Sequence, residues 1–175
     1  EVCTADLVNP SVTSITRASP DPTNSPSVDF LVTFSEGVTG VDETDFAHSG
    51  TNNSGTINPP VKNTDSEWTV TVSSITGAGT VAIDFIDDES VLDLLVSNPY
   101  GGAGTQNYTS GEFYTVDVTS PTVQSIVLAD ADPVGAGTAN FTVTFSEPVS
   151  GVDADDFVIQ KLGIVTDATP VVTPA

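Results

Sequence analysis

Several short stretches of the chain alternate between apolar and polar side chains. In the stretch Val28–Phe34, valine and phenylalanine occupy every second position. Successive side chains of an extended backbone point to opposite faces, so alternation with a period of two residues predicts a half-buried β-strand. The same reasoning predicts strands at 12–16, 68–72, 81–86 and 113–118, and a short further strand anchored by Phe46.

Turn signals separate the predicted strands. Proline, aspartate, serine and asparagine are concentrated at 18–26, glycine, asparagine, threonine and proline dominate 50–60, and a long acidic loop with a glycine-rich tip covers 87–111. No segment has a convincing amphipathic helical pattern. About seven short strands in roughly 110 residues predict an all-β fold, an immunoglobulin-like β-sandwich, with Trp68 in its core.

A second feature is an internal repeat with a period of 111 residues. The string VTFSEGVTGVDETDF at 32–46 returns as VTFSEPVSGVDADDF at 143–157, and Pro10 returns as Pro121. Such a period indicates tandem domains. We therefore predict a linker from a preceding repeat at 1–9, a complete immunoglobulin-like domain at 10–119, and the first half of a second one at 120–175.

The second copy contains counterparts of only the first strands, and nothing in it corresponds to the Trp68 strand or to the later strands of the first copy. Half a sandwich exposes its inner face and an open sheet edge. Two interpretations remain open: the sequence is a section of a longer array, or another chain supplies the missing strands. The regularity of the repeat favours the first.

The charge balance excludes several classes of function. The chain has 24 Asp and Glu residues against 3 Lys and Arg, a formal net charge of −21. That charge repels nucleic acids and anionic membrane surfaces and attracts cations. No apolar run approaches the roughly 18 residues of a membrane span, so direct membrane insertion is not expected. Cys3 has no base partner in sequence and His48 is interpreted as an incidental surface residue, so no catalytic residue and no enzyme activity is predicted.

The strings WTVTV from Trp68, DDESVLD from Asp87 and YTVDVTSPT from Tyr114, together with VTFSEPVSGVDADDF, resemble bacterial Ig-like tandem repeats of large secreted surface proteins and adhesins. The resemblance implies an extracellular or cell-surface location and neighbouring repeats of the same protein as partners. It also implies calcium-stiffened junctions in a fibre or stalk that presents an adhesive tip to a glycan or cell-surface target.

Acidic residues are concentrated in the predicted loops. In a sandwich, the loop at 36–42, the loop at 87–111 and the N-terminal linker share one end, so their carboxylates could converge on Ca²⁺, which takes 6–8 oxygen ligands. Asp45 and Asp156 are instead interpreted as caps of the third strand, and the plain alternative for all the acids is surface solvation. The predicted metal ligands are Asp6, Glu36, Asp42, Asp87, Asp88 and Asp93, with Asp117, Glu147 and Asp153 at the next junction.

Two other functions remain open. A carbohydrate-binding module of a secreted enzyme would use aromatic platforms, and Tyr100, Tyr108 and Tyr114 fall in or beside the long loop. A self-assembling filament subunit would complete its half-domain with strands from a neighbouring chain. The primary prediction is a structural or adhesive extracellular module, rigidified by Ca²⁺ at its interdomain junctions.

Overall fold

A computed structural model describes residues 8–52, 54–95, 98–102, 106–132, 137–160 and 169–173 of the chain. The chain forms two compact units, Glu1–Thr119 and Ser120–Ala175. The described residues are mostly β-structure in antiparallel sheets, as the alternating pattern predicts, and their only helical elements are two three-residue 3-10 turns. None of them forms a helix long and apolar enough to cross a membrane.

The described residues of the first unit form ten strands, four of which are only two residues long. In chain order they are β1 (Val12–Arg17), β2 (Val28–Phe34), β3 (Val38–Thr39), β4 (Phe46–Ser49), β5 (Thr56–Ile57), β6 (Val61–Lys62), β7 (Glu67–Ser73), β8 (Gly79–Phe85), β9 (Leu92–Asp93) and β10 (Tyr114–Val116).

These strands form two main sheets and one short pair. One sheet has the order β1-β2-β7-β5, with β6 also paired to β7, and the other has the order β10-β8-β4. The short pair joins β3 to β9. All of these strand pairs are antiparallel, including β2 with β7, where Phe30 lies opposite Val70 and Val32 opposite Trp68.

Aromatic rings from both sheets meet in the core. Phe30 of one sheet packs edge-on against Tyr114 of the other at 5.1 Å between ring centroids. Phe34 packs in the same way against Phe85 at 5.8 Å. The alternate residues of β2 and β7 are fully buried while their neighbours are half-buried, so the period of two seen in the sequence corresponds to an inner and an outer face.

The described part of the second unit contains one hairpin of β11 (Val123–Leu128) and β12 (Phe141–Phe145), followed by a 3-10 turn at Ala154–Asp156. The hairpin pairs Val123 with Phe145 and Leu128 with Phe141, and it has a register shift between Val123 and Ser125. The β1-β2 hairpin has the same shift between Val12 and Ser14, 111 residues earlier.

The sequence pattern missed the shortest strands. β3 and β9 lie in segments predicted to be loops, and so does β5. A strand of two residues contains only one alternation, which is too little for periodicity to detect, and tertiary pairing decides whether it forms.

Candidate functional site

The best candidate site is the acidic end of the first unit, where the loop after β2 meets the loop after β8. β3 and β9 pair across these loops, with Val38 opposite Asp93. Nearby, Ile86 N donates to the Asp45 carbonyl at 2.7 Å, and Ser90 Oγ donates to the Asp45 carboxylate at 2.9 Å. The two acidic loops therefore share one end of the unit, as expected from the sequence.

Asp42 and Asp45 form a reciprocal cap on the 3-10 turn Glu43–Asp45. The Asp42 carboxylate accepts hydrogen bonds from Thr44 N at 2.8 Å and from Thr44 Oγ1 at 2.6 Å. The Asp42 backbone N–H donates to the Asp45 carboxylate at 2.7 Å. This arrangement is a capping box in which two aspartates satisfy N–H groups at the start of the turn. Asp42, predicted as a metal ligand, therefore has a backbone-capping role.

Asp45 is fully buried at the centre of this end. Burial raises its pKa to about 6, and the nearby charges of Asp88 and Asp42 act in the same direction. The hydrogen bonds from Asp42 and Ser90 oppose that rise but do not cancel it. Desolvation favours the neutral carboxyl, so Asp45 titrates nearer to neutral pH than an exposed aspartate does.

A glycine allows the two loops to approach. Gly40 has a φ of +89°, and a side chain there would collide with the backbone carbonyl of Ser90. A residue with a Cβ would meet both the steric clash and the unfavourable left-handed backbone, so glycine fits this position. The repeat has glycine at the equivalent position, Gly151, with a φ of +78°.

Asp87 and Asp88 also use carboxylate oxygens to hold the loop backbone. Asp87 is buried and accepts hydrogen bonds from Glu89 N at 3.0 Å and Gln106 N at 2.8 Å. Asp88 is exposed and accepts from Ser90 N at 3.0 Å. Hydrogen bonds from the side chain and backbone of Ser90 lower the pKa of Asp88. Both aspartates therefore stabilise turns in the loop after β8.

Asp93 lies on β9 and is 1% exposed. One carboxylate oxygen accepts from Leu95 N at 2.6 Å, and the other has no hydrogen-bond partner among the described residues. Glu36 is half-buried at the start of the opposite loop. These are the predicted ligands that lie closest to the β3-β9 pair in sequence.

The remaining predicted ligands lie elsewhere. Asp117 is exposed after β10, where its carboxylate accepts from Thr119 N at 2.9 Å. In the second unit, Glu147 is half-buried, and Asp153 caps the turn Ala154–Asp156 by accepting from Asp155 N at 2.9 Å. Asp6 falls outside the described residues.

Several carboxylates of the acidic end hydrogen-bond the backbone of their own loops. No group of three or more His, Cys, Asp or Glu residues is arranged to hold a metal ion within the described ranges. Calcium needs several oxygens directed at one point. Asp42, Asp87 and Asp88 instead direct oxygens at backbone N–H groups of their own turns. The calcium site expected at this end from the sequence therefore remains a prediction.

The tyrosines considered as sugar platforms pack into the unit. Tyr100 and Tyr114 are 3% and 0% exposed, and Tyr108 is half-buried against the core. The Tyr114 hydroxyl donates to the Asp29 carbonyl at 2.6 Å and accepts from Ala18 N and Ser19 N at 2.9 and 2.7 Å. Buried rings cannot stack on a sugar, so Tyr100 and Tyr114 act as core and turn anchors.

The structural roles of two residues could not be predicted from the sequence. His48 lies on β4 and is half-buried, not on the open surface as interpreted from the sequence, and burial lowers its pKa. Both of its ring nitrogens lack hydrogen-bond partners in the part of the chain that the structure describes. Ser90 joins the two loops by its hydrogen bond to Asp45. The neighbouring sequence does not indicate this role, because Asp45 is 45 positions away.

Comparison with known proteins gives no relative. No protein-family model, no curated protein and no solved structure matches this chain.

Proposed function

We propose that the chain is a structural module of an extracellular array, an Ig-like repeat that spaces or displays other parts of a surface adhesin or fibre and carries tension between its ends. The proposal assigns it no catalysis. Support comes from the internal sequence repeat and from acidic residues whose carboxylates hydrogen-bond the backbone of their own loops. Above all it comes from a bridge between the segment after β1 and the last strand of the first unit.

The observation that carries the proposal is a parallel bridge between Thr23 and Val116. Thr23 lies between β1 and β2, and Val116 is the last residue of β10. Thr23 N donates to the Thr115 carbonyl and Asp117 N donates to the Thr23 carbonyl, both at 2.9 Å. The first and last parts of the unit are thus hydrogen-bonded side by side and run in the same direction.

Tension along the chain loads this bridge in shear. A pull on the N-terminal side first loads β1 and its pairing with β2, and through β1 it draws Thr23 backwards along its strand direction. A pull on the C-terminal side draws Val116 forwards. Because the segments are parallel, the two forces are opposite along the bridge, and its hydrogen bonds resist them together. Such a connection suits a module that must remain folded when its ends are pulled apart.

Single-molecule force spectroscopy on the full chain tests this role. We expect the first unit to unfold in one discrete step that releases roughly 36–40 nm of extended chain, for about 110 residues at about 3.3–3.6 Å each, less the distance between the ends of the folded unit. Thr23→Pro removes the N–H that bonds Thr115, so the unfolding force should fall.

Asn58→Pro is the matched control. It removes a backbone hydrogen bond of the same length, Asn58 N to the Thr71 carbonyl at 2.9 Å, from a segment away from the bridge. Its unfolding force should stay nearer to that of the unmodified chain. Equal loss of force in both variants, or gradual unfolding of the unmodified chain without a step, would contradict the proposal.

The proposal does not require calcium within the first unit, where Asp42, Asp87 and Asp88 accept hydrogen bonds from the backbone of their own loops. The junction set predicted from the sequence, with Asp117, Glu147 and Asp153, remains a prediction.

A further inference from the structure

The only arginine of the chain lies where the first unit crosses from one sheet to the other. Arg17 is the last residue of β1, in the sheet that contains β2 and β7. Further along the chain, Thr23 is hydrogen-bonded to β10 of the other sheet through the carbonyl of Thr115. We call residues 18–23 the crossing segment. Its contacts with β10 join the two sheets along this side of the unit.

The Arg17 side chain contacts both the crossing segment and the residues that lead into β10. Its Nη1 lies 2.6 Å from a carboxylate oxygen of Asp21 and donates to the Phe113 carbonyl at 3.0 Å. Its Nε lies 3.6 Å from the Glu112 carboxylate, which also accepts from the backbone N–H of Arg17 at 2.8 Å. One cation therefore pairs with two acids and bonds the backbone beside β10.

Asp21 extends this connection to β10 itself. Its Oδ2 pairs with Arg17, and its Oδ1 accepts a hydrogen bond from Thr115 N at 2.6 Å. The carbonyl of Thr115 accepts from Thr23 N at 2.9 Å. Both backbone groups of Thr115 are thus bonded to the crossing segment, and one of these bonds runs through a carboxylate that Arg17 holds in place.

This ion pair differs from an ordinary surface pair. An isolated surface pair contributes little to stability, because water and salt screen it. The side chains of Arg17 and Asp21 are only 33% and 21% exposed. The same two side chains also bond a backbone carbonyl and a backbone N–H of the other sheet, and charge-assisted hydrogen bonds of this kind are the stronger ones.

The second unit shows that the hairpin does not need the arginine. Leu128 occupies the position equivalent to Arg17, and it pairs with Phe141 as Arg17 pairs with Phe30. The β11-β12 hairpin therefore has the same register without a guanidinium there. The role of Arg17 accordingly lies in its contacts with the crossing segment and β10, and not in the pairing of β1 with β2.

We propose that Arg17 is an electrostatic latch that holds the crossing segment on β10, and that salt opens this latch. The attraction between the guanidinium and the carboxylates of Asp21 and Glu112 is screened by mobile ions, and the Debye length falls from about 10 Å at 0.1 M salt to about 3 Å at 1 M. The latch acts whether or not the chain bears tension, so the inference does not depend on the function proposed above.

Amide hydrogen exchange on the full ¹⁵N-labelled chain measures the latch. Arg17→Gln removes the positive charge, so exchange at the Thr115 and Asp117 amides, which bond the crossing segment, should become faster by about tenfold or more at about 0.1 M salt. At about 1 M salt, exchange at these amides in the unmodified chain should approach that of the variant, because screening has already weakened the latch.

Lys62→Gln is the matched control. It makes the same change of charge and breaks another ion pair of the first unit, between Lys62 and Asp65 at 2.8 Å. Lys62 lies on β6, and neither it nor Asp65 contacts the crossing segment through a hydrogen bond or ion pair among the described residues. Exchange at Thr115 and Asp117 in this variant should match that of the unmodified chain at both salt concentrations.

Unchanged exchange at both amides in Arg17→Gln, or an equal effect of Lys62→Gln, would overturn the latch. An effect of Arg17→Gln that is as large at about 1 M salt as at about 0.1 M would overturn its opening by salt. None of these outcomes contradicts the tension-bearing role, which Thr23→Pro tests under force. Conversely, an unchanged unfolding force in Thr23→Pro would contradict that role and leave the latch standing.

Discussion

Ser90 Oγ donates a hydrogen bond of 2.9 Å to the carboxylate of the fully buried Asp45. This contact joins the turn after β3 to the loop after β8, and it lies beside the backbone bond from Ile86 N to the Asp45 carbonyl. Asp45 therefore connects two loops through both its side chain and its backbone. It does so with a carboxyl whose pKa is raised to about 6, so the connection depends on pH.

Asp45 should make the first unit less stable as the pH rises. Its folded-state pKa, about 6, exceeds the ordinary 3.8. Between about pH 4 and pH 6 the folded state holds more protons than the unfolded state, so the free energy of unfolding falls with increasing pH. Asp45→Asn keeps the shape and cannot titrate. Relative to the unmodified chain, the variant should gain up to roughly 3 kcal/mol between pH 4 and pH 7.

Trp68 fluorescence during denaturant unfolding measures this effect, because the only tryptophan of the chain is buried in the first unit. Asp156→Asn is the matched control, since Asp156 is the exposed equivalent in the second unit. It should leave the Trp68 transition unchanged at each pH. Parallel pH profiles for the unmodified chain and Asp45→Asn would show that Asp45 is not the titrating group.

His48 should have the opposite pH dependence. Burial lowers its pKa below 6.5, so the folded state resists protonation. Stability contributed by neutral His48 is present above the unfolded-state pKa and is lost as the pH falls below it. His48→Phe removes the ionisable ring, and the variant should gain stability relative to the unmodified chain as the pH falls from about 7 to 5. A constant difference between the two chains over that range would contradict the effect.

The cap formed by Asp42 should stabilise the first unit independently of any metal. Asp42→Ala removes the carboxylate oxygen Oδ1 that accepts both hydrogen bonds from Thr44, and loss of an N-cap costs about 1 kcal/mol. Asp42→Asn retains a capping oxygen and should recover most of that loss. Asp153→Ala deletes the same cap in the second unit and should not move the Trp68 transition. Equal effects of Asp42→Ala and Asp153→Ala on this transition would contradict a local capping role.

The Tyr114 hydroxyl should contribute more than that of Tyr100. Tyr114→Phe removes three hydrogen bonds, those with Ala18 N, Ser19 N and the Asp29 carbonyl. Tyr100→Phe removes the bond from Val12 N at 3.1 Å. Partners left unsatisfied carry a desolvation cost, so we expect losses of about 2–3 kcal/mol and about 1 kcal/mol. Urea unfolding of both variants gives the comparison, and a larger loss for Tyr100→Phe would refute this ranking.

The local alternation of apolar and polar residues was enough to predict long strands such as β2 and β7. In these strands every second side chain is buried in the fold, so the alternation in sequence corresponds directly to the buried face. It also predicted that the two acidic loops share one end. It could not predict where the carboxylates point. Asp42 and Asp87 find backbone N–H partners within their own loops, and that choice depends on turn geometry that an acidic composition does not encode. Nor could it pair Asp45 with Ser90.

Calcium should therefore stabilise the first unit no more than magnesium does. Asp42 and Asp87 hold Thr44, Glu89 and Gln106 by hydrogen bonds, and no three acidic side chains among the described residues are grouped to hold a metal ion. Ligand binding raises a melting temperature only when the folded state offers a site, so thermal melting followed by Trp68 should give the same midpoint in millimolar calcium, magnesium or chelator. A calcium-specific rise abolished by Asp87→Asn would contradict this and assign the ion to the acidic end. A rise that survives Asp87→Asn but disappears in Asp117→Ala would instead support the ligand set predicted for the linker, because Asp117 lies after β10 and outside both acidic loops.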